Sequence, residues 1–171
     1  MPTIAQLILR EIDQEMPGTR RTLERVPEGR NDWKPHEKSM PLGYLAGLVA
    51  TMAGWIESMV KEDAMDLAAP GRYQALTFPT TRELLSAFDA ELERARAALG
   101  NAHDAHLLDS RWQLRMKDQV LIDQPRFEAI RWGALNHLYH HRAQLTIYLR
   151  LNDRPVPSLY GPSADEQAPP E

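Results

Sequence analysis

Two histidines in the C-terminal part of the sequence stand where they can act together. His137 and His141 lie four residues apart in NHLYHHRAQL, residues 136–145, so on a helix they project from one face, about one turn apart. Two neutral imidazoles at this spacing can bind one divalent metal ion at about 2.0–2.1 Å. The same spacing also occurs in ordinary helices, where each histidine has its own hydrogen-bond partner. The spacing alone leaves both interpretations open.

A metal site that acts on a substrate needs a further ligand, because catalytic zinc sites have three protein ligands and one open position. The remaining histidines are His36, His103, His106 and His140. His36 lies in a predicted loop, and NAHDAHLLD, which contains His103 and His106, is expected to be a solvated loop. His140 is predicted to lie off the inner helix face. It is either a surface histidine or a residue that hydrogen-bonds one of the metal ligands. Any of these residues, or a ligand from a second chain, could complete the site.

The histidine pair lies on the last of four segments that show a helical period. Apolar residues recur at intervals of three and four over residues 4–26, 39–63, 80–100 and 126–151. In the last segment, the predicted inner face carries Ile130, Ala134, His137, His141, Leu145 and Tyr148. Both histidines are therefore expected to point into the core, where buried polar rings need partners.

A different pattern precedes the fourth helix. In residues 111–122, RWQLRMKDQVLI, apolar and polar residues alternate on both sides of Lys117 and Asp118, which predicts a short β-hairpin. The predicted fold class is therefore all-α, an antiparallel four-helix bundle with a short hairpin before the last helix. We expect a single domain over residues 1–163 and a flexible C-terminal tail over residues 164–171.

Composition excludes several classes of function. The chain of 171 residues contains no cysteine, which excludes a thiolate nucleophile, a disulfide framework and an iron–sulfur cluster. Its net charge of −4, with acidic and basic residues interleaved, argues against a broad nucleic-acid surface. No signal peptide and no apolar run long enough for a membrane span is present. We therefore predict a cytoplasmic protein with no membrane or nucleic-acid partner.

Two stretches of the sequence resemble the DinB-like family, which includes the bacillithiol transferases. They are residues 32–56, DWKPHEKSMPLGYLAGLVATMAGWI, and residues 136–166, where the HxxxH pair, the HHRxQL run and the VPSxYGPSADE tail occur together. The resemblance implies a four-helix bundle, commonly dimeric, in which three histidines surround a divalent metal such as nickel or zinc. His137 and His141 match two of these ligands.

The third ligand of the family is replaced in this chain. The resemblance places that ligand on the second helix, in the pattern LGxLAxHVA, and this sequence has LGYLAGLVA over residues 42–50. Leu48 therefore stands at the ligand position. A leucine side chain has no electron pair to donate, so metal affinity should fall greatly and any bound nickel or zinc should be weakly held.

Two hypotheses for function follow from the resemblance. The first is a metal-dependent transferase or hydrolase that acts on a small, thiol-type substrate, with His137 and His141 as metal ligands. The alternative is a non-catalytic DinB-like bundle that has lost the third ligand at Leu48 and serves as a binding or interaction protein. The family name also suggests a role in the stress response, and it implies no contact with DNA.

A homodimer is the assembly that the resemblance implies. A second apolar face on the fourth helix fits this expectation, because it lies off the predicted inner face. Its residues are Trp132, Leu135, Leu138 and Tyr139.

Overall fold

The fold is mostly helical and includes a small three-stranded sheet. The computed structural model describes residues 1–69 and 76–167. The helices are α1 (Ile4–Leu23), α2 (Leu42–Thr51), α3 (Trp55–Lys61), α4 (Thr81–Gly100), α5 (Asp104–Asp109), α6 (Arg126–Glu128) and α7 (His137–Leu151). A 3-10 turn, Met52–Gly54, joins α2 to α3, and a π-helix, Ala129–Asn136, joins α6 to α7. The strands are β1 (Ala64–Asp66), β2 (Arg111–Met116) and β3 (Gln119–Pro125).

Four long helical stretches, residues 4–23, 42–61, 81–100 and 126–151, supply most of the core. Helix α4 packs against α1, α2 and α3, and α2 also packs against α7. The helical residues nevertheless fall into more segments than the four predicted, because a 3-10 turn and a π-helix interrupt two of the stretches and α5 is additional. An antiparallel four-helix bundle in the predicted form is not confirmed.

The second helix begins three residues later than the sequence predicts, at Leu42 rather than near Ser39. Pro41 precedes it and makes no side-chain cap. The first helical N–H groups are satisfied from the preceding loop instead: Leu42 N–H donates to the Trp33 carbonyl at 2.8 Å and Gly43 N–H to the Asn31 carbonyl at 2.9 Å. Because these acceptors are backbone groups, no residue type in the sequence marks the start.

The predicted hairpin is present as the antiparallel pair β2 and β3, with a register shift between Leu114 and Arg115. Lys117 has a positive φ of 53° at the turn. Strand β1 pairs in parallel with β2, so that Ala64 lies opposite Gln113. The sequence did not predict β1, because a strand of three residues depends on a partner far away in the chain.

The faces of the fourth helical stretch differ in part from the prediction. Tyr148 and the other predicted inner residues are buried, but His137 is exposed. Leu135 and Leu138, predicted on a second outer face, are both 0% exposed, whereas Trp132 is 69% exposed. Leu138 follows the buried Ala134 by four residues and precedes the buried His141 by three, so a regular α-helix also turns it inward, and Leu135 lies one turn before it. The buried face is therefore broader than predicted.

The C-terminal segment is held against the helices as far as Glu166. Asp165 pairs with Arg150 and accepts the Val156 N–H at 2.8 Å, and Glu166 accepts the Ser158 N–H at 2.8 Å. The boundary predicted at residue 163 stays a prediction, and residues 168–171 of the predicted tail lie outside the described residues. Within the described part of the chain, no helix combines the length and the hydropathy needed to cross a bilayer.

A buried guanidinium joins α1, α7 and the C-terminal segment. Arg142 is 2% exposed and donates to the Glu15 carboxylate at 2.7 Å and to the Thr19 hydroxyl at 3.0 Å. It also donates to the Tyr160 hydroxyl at 2.6 Å, and that hydroxyl donates to Glu15 at 2.9 Å. The charge is therefore paired and hydrogen-bonded, as burial of a guanidinium requires.

Replacing this charge should destabilise the fold strongly. Arg142→Met keeps a long apolar side chain but leaves the Glu15 carboxylate without its cation, so the free energy of unfolding should fall by about 3–5 kcal/mol. Urea denaturation at neutral pH measures the change. The matched control is Arg96→Met, which removes a partly exposed ion pair with Asp13 and should cost about 1 kcal/mol or less. An equal decrease in the free energy of unfolding in the two variants would show that the buried Arg142 is no more important for stability than a surface ion pair.

Candidate functional site

The two sequence-predicted histidines come together at the start of α7. The Nε2 atoms of His137 and His141 face each other at 2.9 Å, and the two rings lie 4.6 Å apart, centre to centre. His141 is 7% exposed, whereas His137 is exposed and has the Trp55 ring against it, at 5.8 Å between centroids. The predicted juxtaposition is therefore observed, with one ring in the core and the other on its edge.

The outer nitrogens of the pair face acceptors of the same helical stretch. His141 Nδ1 lies 2.7 Å from Gln144 Oε1, so this nitrogen carries the proton and the Nε2 atom keeps its lone pair. His137 forms a backbone hydrogen bond with Gly133, which lies in the π-helix. Irregular turns of this kind free backbone groups and recur at functional sites. The local backbone and Gln144 thus orient both rings toward one another.

Both histidines are held in their neutral form. Burial lowers the pKa of His137, and the neighbouring His141 and His140 lower it further. Burial also lowers the pKa of His141, against the opposing effect of the hydrogen bond to Gln144. A neutral imidazole has a free lone pair, so the pair can accept a proton or bind a metal ion at neutral pH.

His137 and His141 could act as two ligands of a metal ion, and no third candidate ligand of the types His, Cys, Asp or Glu lies with them among the described residues. Two nitrogens that bind one ion at about 2.0–2.1 Å lie no more than about 4.2 Å apart, so the separation of His137 and His141 fits. Leu48, at the third position, lines the same cavity as His137 and offers no donor atom. In residues 1–69 and 76–167, no three His, Cys, Asp or Glu side chains are grouped to hold a metal ion.

The other histidines do not complete the site. His36 is exposed and accepts the Lys38 N–H at 3.2 Å. The predicted loop NAHDAHLLD contains the short helix α5, where His103 is exposed and His106 Nε2 lies 2.7 Å from the Val60 carbonyl. Burial of Leu107 in the core stabilises helix α5. The acidic composition of the segment does not indicate this contact, so the sequence predicted a solvated loop.

The remaining histidine of the segment lies beside the pair without joining it. His140 is exposed, and its ring centre lies 5.3 Å from that of His141. It therefore influences the pair through its charge rather than as a ligand to the same point.

A cavity of about 440 Å³ opens next to His137. Among the described residues its walls come from α2, α3, β1, the β2–β3 hairpin, the π-helix, the start of α7 and residues 67 and 76. The lining residues are Tyr44, Leu48, Trp55, Met59, Met65, Leu67, Leu76, Trp112, Leu114, Ile122, Gln124, Trp132, Gly133 and His137. Its volume lies in the range of about 300–1,000 Å³ that is typical of small-molecule sites.

One wall depends on a glycine in α2. A Cβ atom at Gly47 would lie 1.7 Å from the Leu76 carbonyl oxygen, so only glycine lets that segment approach the helix next to Leu48. Asn31 holds the same segment by donating to the Phe78 carbonyl at 3.0 Å. The backbone near residue 76 is thereby fixed at the edge of the cavity.

The sequence did not predict the contribution of the hairpin. Trp112, Leu114, Ile122 and Gln124 line the cavity, and they form two cross-strand pairs, Trp112 with Gln124 and Leu114 with Ile122. The alternation in residues 111–122 predicts which side chains share a face of the hairpin, but not the surface that the face covers. The hairpin is therefore part of the candidate site.

Comparisons with known proteins agree with the fold. The DinB family profile matches residues 1–171. A DinB-like protein of Bacillus subtilis, YjoA, superposes with a TM-score of 0.69 at 18% identity, over 95% of this chain and 99% of that chain. A DinB-like protein of Bacillus cereus superposes with a TM-score of 0.68 at 16% identity, over 89% of this chain and 95% of that chain. No curated protein matches the chain.

At these identities the two solved structures show the shared fold, and the family match covers every residue of the sequence. The resemblance inferred from the histidine pair, the HHRxQL run and the C-terminal motif is confirmed. The chain belongs to the DinB family.

Proposed function

We propose that this chain binds a small molecule in the cavity beside His137, and that its histidine pair is a metal site left incomplete by Leu48. The proposal rests on the position of Leu48 in the structure. It lies on the cavity wall with His137, where the family resemblance expects a third histidine. An apolar side chain at this point extends the apolar wall of the cavity and removes a metal donor at the same time.

The remaining pair suits weak binding of a divalent ion. His137 and His141 would hold nickel or zinc, and a bound ion would supply Lewis-acid chemistry next to the cavity. Two protein ligands are one fewer than catalytic sites of this type have. The residues present therefore do not fit a tightly held metal, and we derive no catalytic step through one.

A second candidate function is the metal-dependent transferase or hydrolase acting on a small, thiol-type substrate. The observation in its favour is the 2.9 Å approach of two neutral Nε2 atoms at the edge of a cavity. In that case a substrate or water molecules would complete the coordination. Metal-dependent turnover that is lost in His141→Ala would support this candidate over the first.

Restoring the missing ligand should restore metal binding. Leu48→His adds a donor next to His137, so we expect nickel and zinc to bind at least about 100-fold more tightly than to the natural chain. Isothermal titration calorimetry on metal-free protein measures both dissociation constants, and the natural chain should show values in the range of about 0.1–1 mM.

The matched control is Leu121→His, which places a new histidine on the exposed hairpin. It should leave metal affinity unchanged. If folded Leu48→His, checked by circular dichroism, binds no more tightly than Leu121→His, then Leu48 is not at the ligand position and the proposal is wrong.

We further propose that the four long helical stretches act as an antiparallel bundle and that the chain forms a homodimer. The buried Leu135 and Leu138 no longer support an interface. We place the interface instead on Trp132, which is 69% exposed, and on the exposed apolar hairpin residues Val120, Leu121 and Ile122. Sedimentation velocity at micromolar concentration should give the mass of a dimer, and Trp132→Ser should shift it toward the monomer. A monomeric natural chain would refute the dimer.

The cytoplasmic location and the absence of a nucleic-acid partner stay predictions. Their support is the composition of the chain, with a net charge of −4, and the interleaving of both signs of charge along the sequence.

A further inference from the structure

The facing nitrogens of the histidine pair leave a place for a cation. His137 and His141 present their Nε2 atoms to each other at 2.9 Å. His141 Nδ1 lies 2.7 Å from Gln144 Oε1, and His137 forms a backbone hydrogen bond with Gly133. These bonds leave the Nε2 atom of each ring as an acceptor. Two acceptors at this distance repel each other, and a positive charge between them would replace the repulsion by attraction.

Nickel and zinc fit this place poorly. Both ions take four or more ligands, and zinc sites draw at least three of them from the protein. Among the described residues no third His, Cys, Asp or Glu joins the pair, and residues 70–75, PGRYQA, contain none of these four types. An ion that is stable with two or three ligands fits better. Monovalent copper, a soft ion of low charge, has this property.

A thioether side chain lies beside the pair as a further donor. Met59 is buried and lines the same cavity as His137. A Cβ atom at Gly133 would lie 2.9 Å from the terminal methyl group of Met59, so this side chain reaches the residue to which His137 bonds. Thioether sulfur is a soft ligand that selects monovalent copper over nickel and zinc. The three rotatable bonds of methionine let the sulfur adjust its position without a change in the backbone.

We propose that His137 and His141 bind one monovalent copper ion, with the Met59 thioether as the third ligand. The inference rests on the proposed function, because it concerns the same site and names the ion that a pair without a third histidine still holds. Three ligands in a plane, with bonds of about 2.0 Å, place two nitrogens about 3.5 Å apart. The ring of His137 is exposed at the edge of the core, so it is the one that can turn outward from the observed 2.9 Å.

Competition for copper measures the affinity directly. The metal-free natural chain, kept under nitrogen with ascorbate, is titrated against the coloured complex of monovalent copper with bicinchoninate. One ion should bind per chain with a dissociation constant below about 1 µM. That value is at least about 100-fold tighter than the range expected for nickel and zinc.

Two matched pairs of substitutions assign the ligands. His141→Ala should weaken copper binding at least about 100-fold, whereas His140→Ala removes an exposed ring outside the pair and should leave the affinity unchanged. Met59→Leu nearly conserves the volume of the side chain and should weaken binding about 10-fold or more. Its control, Met116→Leu, replaces a methionine that is 43% exposed on the hairpin and should have no effect. Circular dichroism verifies that each variant is folded.

Nuclear magnetic resonance tests the same ligands in the natural chain. Silver(I) serves as an air-stable monovalent substitute for copper. One equivalent should shift the Nε2 resonances of His137 and His141 in long-range proton–nitrogen spectra. It should also shift the methyl resonance of Met59, which is assigned from its absence in Met59→Leu, and leave that of Met116 in place.

The outcomes separate the identity of the ion from the incomplete site. If the natural chain binds monovalent copper as weakly as zinc, this inference is wrong, while the proposed function stands. Unchanged affinity in His141→Ala, or a loss in His140→Ala, would overturn the inference because the ion would lie elsewhere. Unchanged affinity in Met59→Leu with an unmoved methyl resonance would show that the thioether is not a ligand. Zinc binding below about 1 µM by the natural chain would contradict the proposed function as well.

Discussion

Two polar residues that follow one another in the sequence are both buried in α7, and the arrangement of the chain depends on satisfying them. Arg142 is 2% exposed and His141 is 7% exposed. Each needs partners, since buried polar groups without them destabilise a fold. Arg142 takes its partners from α1 and the C-terminal segment, through Glu15 and Tyr160. His141 bonds through Nδ1 to Gln144 of its own helical stretch, and its Nε2 faces that of His137 at 2.9 Å. One turn of helix therefore ties the core, the terminus and the candidate site together.

At the histidine pair this requirement is met only in part by the chain itself. The bond from Nδ1 to Gln144 satisfies one nitrogen of His141, while its Nε2 lone pair faces the lone pair of His137 at 2.9 Å, where a proton or a cation would be favourable. Leu48 lines the cavity and offers no donor atom to a metal ion. The cavity itself is assembled from distant parts of the chain, because the hairpin before the last helix covers what α2, α3 and the π-helix leave open.

Local sequence patterns predicted the features that depend on local contacts. The helical period located the four long helical stretches, alternation located the hairpin, and the four-residue spacing located the histidine pair. The sequence analysis failed where a contact with a distant part of the chain determines the local structure. Loop carbonyls set the start of α2, and the burial of Leu107 turns an acidic loop into α5. Leu135 and Leu138 lie in the core because the buried face of the last helical stretch is broader than the predicted one. The indole Nε1 of Trp112 has no acceptor among the described residues, which could not be predicted because it is a property of the packed structure.

The central claim is that Leu48 leaves His137 and His141 as an incomplete metal site beside a small-molecule cavity. Its most direct test is the metal content of the full chain, purified without a histidine tag or chelator and analysed for its elements beside the double variant His137→Ala/His141→Ala. The account predicts nickel and zinc far below one ion per chain in both proteins. Nearly one ion per chain in the natural protein, lost in the double variant, would contradict it, because a further ligand would then have to replace the histidine that Leu48 lacks.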